Sequence, residues 1–342
     1  MCTHRVAVDT PNSITLREPL ELEGGASLED VKVAFQTWGR LSPAADNAVV
    51  VCHALTGSAD ADVWWRDLIG PGKSLDPDRD FIICSNVLGS CYGTTGPAAV
   101  RGRGIGVWGA DFPPVSVRDM VSVQRRLLDA LKVRRIRLVI GGSLGGMQVL
   151  EWSLSDDRVA AAVVIATSAR HSAWCIAQSE AQRAAIASDP LWRDGRYHPE
   201  NPPAAGLATA RMIAMCSYRT PASFEDRFGR AACPGGDFEI SDWLRFHGGA
   251  LVDRFDANSY VTLTRAMDGH DVGRGRGGIA AAPGSNALPL LGVSIDSDGL
   301  STPREQRQIA DLVPGSELYT ISSPHGHDAF LIETVELDAR VS

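Results

Sequence analysis

Residues 136–152 read IRLVIGGSLGGMQVLEW: a short apolar run, a glycine-rich turn and a second apolar segment. The turn at 141–145 has the pattern Gly-x-Ser-x-Gly. Between a strand and a helix, this pattern holds its serine in a strained turn, and the glycines remove side chains that would clash there. The hydroxyl of Ser143 then stands above the sheet at a helix N-terminus, where the helix dipole favours developing negative charge. The segment therefore predicts a nucleophilic serine in an α/β protein.

The chain around this turn alternates between strand and helix patterns. Residues 31–37 read as a strand, and continuous apolar runs at 48–52, 81–84 and 160–166 are typical of strands covered on both faces. Residues 117–131 repeat apolar side chains at helical spacing. This alternation predicts a mainly parallel sheet with helices packed against it.

The pattern changes after residue 168. No candidate strand occurs before residue 288, and the intervening chain has helical patterns at 171–188, 204–218, 223–230, 241–255 and 258–267. Strands at 288–295 and 318–322 and a helix at 328–337 then complete the chain. We therefore predict a core domain formed by residues 1–168 and 285–342, with residues 169–284 as a helical insertion.

Composition limits the partners and the compartment. The 342-residue chain has 33 lysines and arginines against 41 acidic residues, a formal charge of −8, whereas general nucleic-acid binding needs a clustered cationic surface. Its longest apolar run is far shorter than the roughly 18 residues of a membrane span. Residues 1–9 lack the apolar region of a secretory signal. Seven scattered cysteines without a Cys-x-x-Cys pair favour neither disulfides nor zinc. We expect a cytoplasmic protein with no nucleic-acid, membrane or metal partner.

Candidate partners for the serine lie further along the chain. A serine hydroxyl is a weak nucleophile without a base, and behind this kind of turn the acid and then the histidine follow in sequence. Asp296 and Asp298 follow one predicted strand, and His325 and His327 follow the next. Both positions are at carboxyl ends of strands, where open α/β sheets build their sites. The residues alone leave both choices open.

Two other segments invite a functional interpretation. His53 begins the segment HALTGS directly after the strand at 48–52, a position that suits a loop donating an oxyanion amide, so we expect His53 to shape the loop rather than act as a base. Residues 273–278 read GRGRGG and satisfy Gly-x-Gly-x-x-Gly. No strand precedes them and no adequate helix follows, so they predict a flexible loop with at most an anion contact, not a dinucleotide site.

Many segments together resemble the homoserine O-acetyltransferase family, and they run from about residue 30 to 331. They are HALTGS (53–58), WW (64–65), IGPGK (69–73), CSNVLG (84–89), TGP (95–97), GGSLGGMQVLEW (141–152), RFDANSY (254–260), HDVGRG (270–275) and GHDAFL (326–331). The resemblance implies an α/β-hydrolase fold in which the helical insertion is a lid, and an acyl-serine intermediate. It also implies that Asp298 is the acid and His327 the base.

The same resemblance implies a substrate site and a dimer. Arg211 would pair with the α-carboxylate of an amino acid and Asp328 with its α-ammonium, because a zwitterion is aimed by one fixed cation and one fixed anion. A homodimer through the lid is also implied. The sequence departs from the usual family pattern at Ser90, where glycine is common, at Leu144, where methionine is frequent, and in ending at Ser342.

The implied reaction is a two-step acetyl transfer. Ser143 would attack acetyl-CoA, a co-substrate, with the oxyanion held by the backbone amides of Leu55 and Leu144, and the acetyl group would pass to L-homoserine for methionine-type biosynthesis. Neither a metal nor a prosthetic group is required. The alternatives are an L-serine O-acyltransferase using acetyl- or succinyl-CoA, a serine esterase or thioesterase, and a catalytically inactive binding protein on the same fold.

Overall fold

The computed structural model describes residues 12–102, 104, 106–282 and 288–342. Its strands, in chain order, are β1 (Asn12–Leu16), β2 (Leu20–Glu21), β3 (Ser27–Leu28), β4 (Val31–Trp38), β5 (Ala48–Cys52), β6 (Phe81–Ser85), β7 (Ile136–Gly142), β8 (Ala162–Ile165), β9 (Leu290–Ile295) and β10 (Glu317–Ile321). Eight of them form one sheet in the order β1-β4-β6-β5-β7-β8-β9-β10, and β2 and β3 pair as a separate hairpin.

The sheet is mainly parallel, as predicted. The six strands from β6 to β10 in the sheet order run parallel, whereas β4 and β1 pair antiparallel at one edge. All five residues of β5 are buried, and alternate side chains enter two different apolar clusters, one on each face. Such two-sided burial explains its uninterrupted apolar sequence. Strand β1 and the hairpin were not predicted.

Eleven α-helices lie in the described part of the chain. They are α1 (Ala61–Trp64), α2 (Val117–Ala130), α3 (Leu144–Ser155), α4 (Ala173–Ala187), α5 (Ala204–Tyr218), α6 (Pro221–Phe228), α7 (Glu239–Val252), α8 (Ala257–Asp268), α9 (Pro303–Leu312), α10 (Ala329–Ile332) and α11 (Thr334–Val341). Short 3₁₀ turns occur at Gly109–Asp111, Arg193–Gly195 and Gly326–Asp328. None of these helices is long and apolar enough to cross a bilayer.

Helices α4 to α8 lie between β8 and β9, where the sequence predicts an insertion; we call them the lid. Polar side chains fix where several of them begin: Ser172 accepts a hydrogen bond from a first-turn amide of α4, Thr220 does so for α6 and Asp256 for α8. The predicted start at residue 1 and the predicted boundary at residues 284 and 285 fall outside the described residues. The domain limits therefore stay predictions.

The C-terminal part of the core differs from the sequence prediction in two ways. A single helix over 328–337 is wrong, because Glu333 has non-helical backbone angles (φ −85°, ψ 43°) and separates α10 from α11. The carboxylate of Glu333 accepts a hydrogen bond from Ser323 Oγ at 2.8 Å, which anchors this break. Helix α9 was not predicted, although Thr302 and Glu305 form a capping box at its N-terminus.

The glycine-rich loop at 273–278 is bound to the core. Arg276 contacts the buried carboxylate of Glu151 on α3 at 2.7 Å, and Arg274 contacts Glu23 at 2.9 Å. Arg118 on α2 reaches both of these carboxylates, at 3.2 and 3.0 Å. The anion contacts that the sequence allowed for this loop are therefore carboxylates of the protein itself.

Helix α3 approaches β5 so closely that Gly145 has no room for a side chain. A Cβ atom at Gly145 would lie 2.1 Å from the carbonyl oxygen of Cys52. We predict that Gly145→Ala lowers the free energy of unfolding by about 3 kcal/mol or more, because the helix must shift away from the strand. Denaturant unfolding measures the change.

Gly249→Ala is the matched control, since Gly249 is also helical but a Cβ there meets nothing within 4 Å. It should raise the free energy of unfolding by about 1 kcal/mol through helix propensity. Equal unfolding midpoints for Gly145→Ala and the wild type would contradict the close approach.

Candidate active site

Ser143 occupies the turn between β7 and α3 in a strained conformation. Its backbone angles are φ 57° and ψ −123°, a region that side chains rarely adopt. The strain is held from both sides: the Ser143 N–H donates to the carbonyl of Ile165 on β8 at 3.0 Å, and its carbonyl accepts from Met147 in α3 at 3.1 Å. The geometry is that of a nucleophile turn.

Three side chains form one hydrogen-bonded chain at this turn. His327 Nε2 lies 2.9 Å from Ser143 Oγ, and His327 Nδ1 lies 2.8 Å from Asp298 Oδ2. The other oxygen of Asp298 accepts from the amides of Leu300 and Ser301 at 2.8 and 2.9 Å. Because an ionised carboxylate can only accept, Nδ1 carries the proton and the lone pair of Nε2 faces the serine hydroxyl.

The electrostatics of His327 suit a base. Burial lowers its pKa, but the charge and hydrogen bond of Asp298, together with the charge of Asp328, outweigh burial and hold the pKa above the ordinary histidine value. The protonated imidazole that forms when the serine loses its proton is therefore stabilised.

The other two candidates, Asp296 and His325, make contacts outside the catalytic hydrogen-bonded chain. Asp296 accepts from Ser322 Oγ at 2.7 Å and from the Ser323 amide at 3.1 Å, and these hydrogen bonds lower its pKa while joining the ends of two strands. His325 Nδ1 lies 3.5 Å from Ser223 Oγ and from Arg219 Nη1. Neither Asp296 nor His325 takes part in the chain that reaches Ser143.

His53 shapes the loop after β5. Its Nε2 accepts from the Val87 amide at 3.1 Å, so its Nδ1 must carry the proton and donate to the Ala54 carbonyl at 2.8 Å. Burial lowers its pKa to about 4, and it stays neutral. Both ring nitrogens are thus occupied, and His53 is not placed to act as a base.

The loop that His53 begins contributes to the wall of the cavity that Ser143 also lines. Gly57 donates to the Ala54 carbonyl at 2.9 Å, which closes a tight turn with Leu55 and Thr56 at its centre. Leu55 and Ser143 line the same cavity. Leu144 is the first residue of α3, and an amide in that position has no acceptor within its own helix. The two amides expected to form an oxyanion site thus belong to segments that meet at this cavity.

The cavity above Ser143 has a volume of about 450 Å³ and both charged and apolar walls. Ser90 is buried and is not among its lining residues. The described residues that line it are Ala54, Leu55, Thr56, Gly57, Ser58, Asp60, Trp64, Tyr92, Ser143, Arg211, Tyr218, Arg254, His327, Asp328, Phe330 and Leu331.

The lid contributes an arginine and a tyrosine on one face of α5. Arg211 and Tyr218 are seven residues apart, which places both on the same face of the helix. The guanidinium of Arg211 lies 5.5 Å from the ring centre of Tyr218, and that ring lies 5.7 Å from the ring of His327. Tyr218 was not predicted from the sequence, although its helical spacing from Arg211 was a usable signal.

Asp328 lines the same cavity as Arg211 and forms an ion pair with Arg219. Burial raises the pKa of its carboxyl group, whereas Arg219, His327 and Arg211 oppose that rise. Arg219 Nε lies 2.9 Å from Asp328 Oδ2, and both side chains are largely buried. Arg219 was missed at the sequence level, because nothing in the local pattern of a helix end predicts a partner more than a hundred residues away. In the described part of the chain, no cluster of three or more histidine, cysteine or acidic side chains is arranged to hold a metal ion.

A serine hydrogen-bonded to a histidine–carboxylate pair, in a strained turn of a parallel sheet, defines an acyl-transfer enzyme of the α/β-hydrolase type. Residues 47–334 match the family model described as the alpha/beta hydrolase fold. The chain is 54% identical to a homoserine O-acetyltransferase of Chlorobaculum tepidum over 97% of this chain and 94% of the relative. It is also 54% identical to one of Trichormus variabilis over 94% and 90%. The chain belongs to the homoserine O-acetyltransferase family, which confirms the resemblance noted in the sequence.

Solved structures agree on the fold. The homoserine O-acetyltransferase of Bacillus anthracis superimposes with a TM-score of 0.90 at 23% identity, covering 96% of this chain and 95% of that one. Esterase E22 superimposes with a TM-score of 0.88 at 25% identity, covering 96% and 98%. The α/β-hydrolase fold expected from the resemblance is thereby confirmed.

The position of His327 makes a prediction about pH. Acylation of Ser143 by p-nitrophenyl acetate should slow as pH falls through the pKa of His327, because the protonated ring cannot accept the serine proton. Since that pKa is raised, the midpoint should lie above the ordinary value of about 6.5. In Asp298→Asn the carboxylate charge is lost while burial remains, so the midpoint should move to lower pH, and the limiting rate should fall about 10⁴-fold. Stopped-flow release of nitrophenolate measures both.

Asp296→Asn is the matched control: it removes a nearby carboxylate outside the hydrogen-bonded chain and should keep the midpoint close to that of the wild type. A midpoint that is the same in the wild type and in Asp298→Asn would contradict the role of Asp298.

Proposed function

We propose that this enzyme transfers the acetyl group of acetyl-CoA to the side-chain hydroxyl of L-homoserine through an acetyl-Ser143 intermediate. The observation that carries the proposal is the hydrogen-bonded chain from Asp298 through His327 to Ser143. Its serine lines a cavity whose wall also contains the charged side chains of Arg211 and Asp328. The names of the relatives, homoserine O-acetyltransferase at about half identity over nearly the whole chain, support the choice of substrates.

The first half-reaction loads the serine. His327 Nε2 takes the proton of Ser143 Oγ as the oxygen attacks the thioester carbon, and the negative charge on the former carbonyl oxygen is held by the amides of Leu55 and Leu144. One such donor is typically worth roughly 3–4 kcal/mol. When the intermediate collapses, the carbon–sulfur bond breaks, His327 returns its proton to the sulfur, and CoA leaves. Asp298 keeps the imidazole in the tautomer and orientation that this exchange needs.

The second half-reaction delivers the acetyl group. Arg211 pairs with the α-carboxylate of homoserine and Asp328 with its α-ammonium, so the hydroxyl group is directed toward the acetyl ester. His327 accepts the hydroxyl proton, the new ester bond forms through the same oxyanion site, and the bond to Ser143 breaks as its oxygen regains the proton. No metal and no prosthetic group takes part in this scheme. The lid must restrict water, because water would otherwise attack the same ester.

An esterase is the second candidate. An esterase would form the same acyl-Ser143 intermediate and use water as the acceptor. The structural similarity to esterase E22 favours this alternative. The opposite charges of Arg211 and Asp328 in the cavity wall favour an amino acid as acceptor, because a zwitterion matches both charges and water does not. L-Serine as acceptor and succinyl-CoA as donor are variants of the same proposal.

The product test separates these functions. Incubation with acetyl-CoA and homoserine should give O-acetylhomoserine with little free acetate, and intact-mass analysis without acceptor should detect an acetyl adduct that Ser143→Ala lacks. A two-by-two panel of acetyl- or succinyl-CoA with homoserine or serine then ranks the substrates. Free acetate as the sole product would contradict the transferase proposal and support the esterase.

The ion pair of Arg219 and Asp328 makes a separate prediction. Burial raises the pKa of Asp328 and Arg219 opposes the rise, so Arg219→Met should let Asp328 bind a proton at higher pH. The KM for homoserine should then rise roughly tenfold, the factor that corresponds to ~1.4 kcal/mol of lost charge pairing. Steady-state kinetics at saturating acetyl-CoA measures it.

Arg219→Lys keeps the charge and should recover most of the affinity for homoserine. Acylation of Ser143 by acetyl-CoA alone should change little in both variants. A homoserine KM that stays at the wild-type value in Arg219→Met would show that Asp328 does not depend on Arg219.

A further inference from the structure

The loop that carries the Leu55 amide is held from two sides by the neighbouring core loop. The Val87 amide donates to His53 Nε2 at 3.1 Å, at the start of the loop. The Ala59 amide donates to Asn86 Oδ1 at 2.8 Å, at its end. These contacts fix the two ends of the loop within the sheet domain.

The middle of the loop is held from the lid. Arg254 lies between α7 and α8, and its Nη1 donates to the carbonyl oxygen of Thr56 at 2.7 Å. The same nitrogen also donates to the hydroxyl of Tyr92. Thr56 follows Leu55 in the tight turn closed by Gly57. The guanidinium therefore fixes the orientation of the Thr56–Gly57 peptide group, which lies two peptide groups along the backbone from the one that bears the Leu55 amide.

The lid segment around Arg254 is itself well anchored. Phe255 is buried and packs edge-on against Tyr92, with ring centres 5.6 Å apart. Asp256 caps α8 by accepting from the Ser259 amide at 2.7 Å. The Arg254 side chain is exposed on one side and lines the cavity on the other. A guanidinium on such a rigid base can transmit the position of the lid to the loop beneath it.

We infer that Arg254 is a positioning residue of the oxyanion site, one that makes the alignment of the Leu55 amide depend on the lid being seated. Oxyanion donors act only when they point at the place where charge develops, and small misalignments are costly. With the lid displaced, Thr56 loses this donor and the turn is free to reorient. Because the same oxyanion site serves loading and delivery, Arg254 supports both half-reactions. The inference rests on the proposed function through the role given to Leu55.

A direct contact between Arg254 and a substrate predicts different kinetics from a role in aligning the oxyanion loop. If Arg254 bound an anionic part of acetyl-CoA or of the amino acid, its loss would raise the KM of that substrate and leave the reaction with a small neutral ester unaffected. If it aligned the oxyanion loop, acylation by a neutral ester would slow as well, since that reaction needs the oxyanion site and no charged partner.

The test uses p-nitrophenyl acetate as the probe, so it does not depend on which amino acid is the acceptor. In Arg254→Met, single-turnover acylation of Ser143 should fall roughly 10- to 100-fold, a part of the loss that follows removal of a whole oxyanion donor. The rate with acetyl-CoA should fall by a similar factor while its KM stays within about twofold of wild type. Millimolar guanidinium should restore part of the rate in Arg254→Ala, and Arg254→Lys should be intermediate.

Arg245→Met is the matched control: Arg245 is an exposed lid arginine bound to Asp237 and Asp242, and it does not line the cavity. It should acylate at the wild-type rate. Thermal unfolding of each variant separates a local effect from loss of the fold.

Two outcomes would overturn the inference: a wild-type acylation rate in Arg254→Met, or a loss confined to the KM for acetyl-CoA or homoserine. Failure of the proposed function appears differently, as acylation that depends on Arg254 but ends in free acetate instead of acetylhomoserine.

Discussion

The contact of helix α3 with strand β5 is the constraint on which the site depends. Gly145 lets the helix backbone lie directly against the Cys52 carbonyl, and this fixes where the helix can begin. Ser143 is then forced into its left-handed conformation, and the Leu144 amide is left without a helical acceptor beside the loop that starts at His53. A larger residue at Gly145 would move Ser143 and the Leu144 amide together, the proposed nucleophile and one of the two proposed oxyanion donors. Strain at the serine is sustained by packing elsewhere in the core.

Charge in the site is arranged by opposing effects rather than by burial alone. His327 is buried, which disfavours its protonated form, yet Asp298 and Asp328 together more than compensate. The carboxylate of Asp298 in turn accepts hydrogen bonds from two backbone amides. Asp328 shows the reverse balance, since burial outweighs the cations around it. In a low-dielectric cavity such pairs are strong only while both partners are present. Loss of one charged partner is therefore expected to change the protonation of the other.

The sequence predicted most of what is local. The nucleophile turn, the buried strands and the lid helices follow from periodicity and from one pentapeptide, because each is encoded within a few residues. The selection of His327 over His325 is not local: it depends on the 3₁₀ turn at Gly326–Asp328, where a Cβ on Gly326 would lie 2.7 Å from the Tyr218 carbonyl of the lid. The contacts of Arg219 and Arg254 could not be predicted for the same reason, because their partners lie far away in the sequence. Helix α9 was not predicted, although its capping box is a local signal that the sequence contains.

The cluster around Glu151 has a consequence for how this chain can diverge. Its carboxylate is 2% exposed and is matched by guanidinium groups from Arg118, which precedes the lid helices in the sequence, and Arg276, which follows them. Removing either arginine leaves a buried anion short of a partner, whereas exchanging all three for well-packed apolar residues is often tolerated. We therefore expect single substitutions along that path to cost stability. Exchange of all three residues together avoids the unpaired buried charge, so we expect changes at these positions to be concerted.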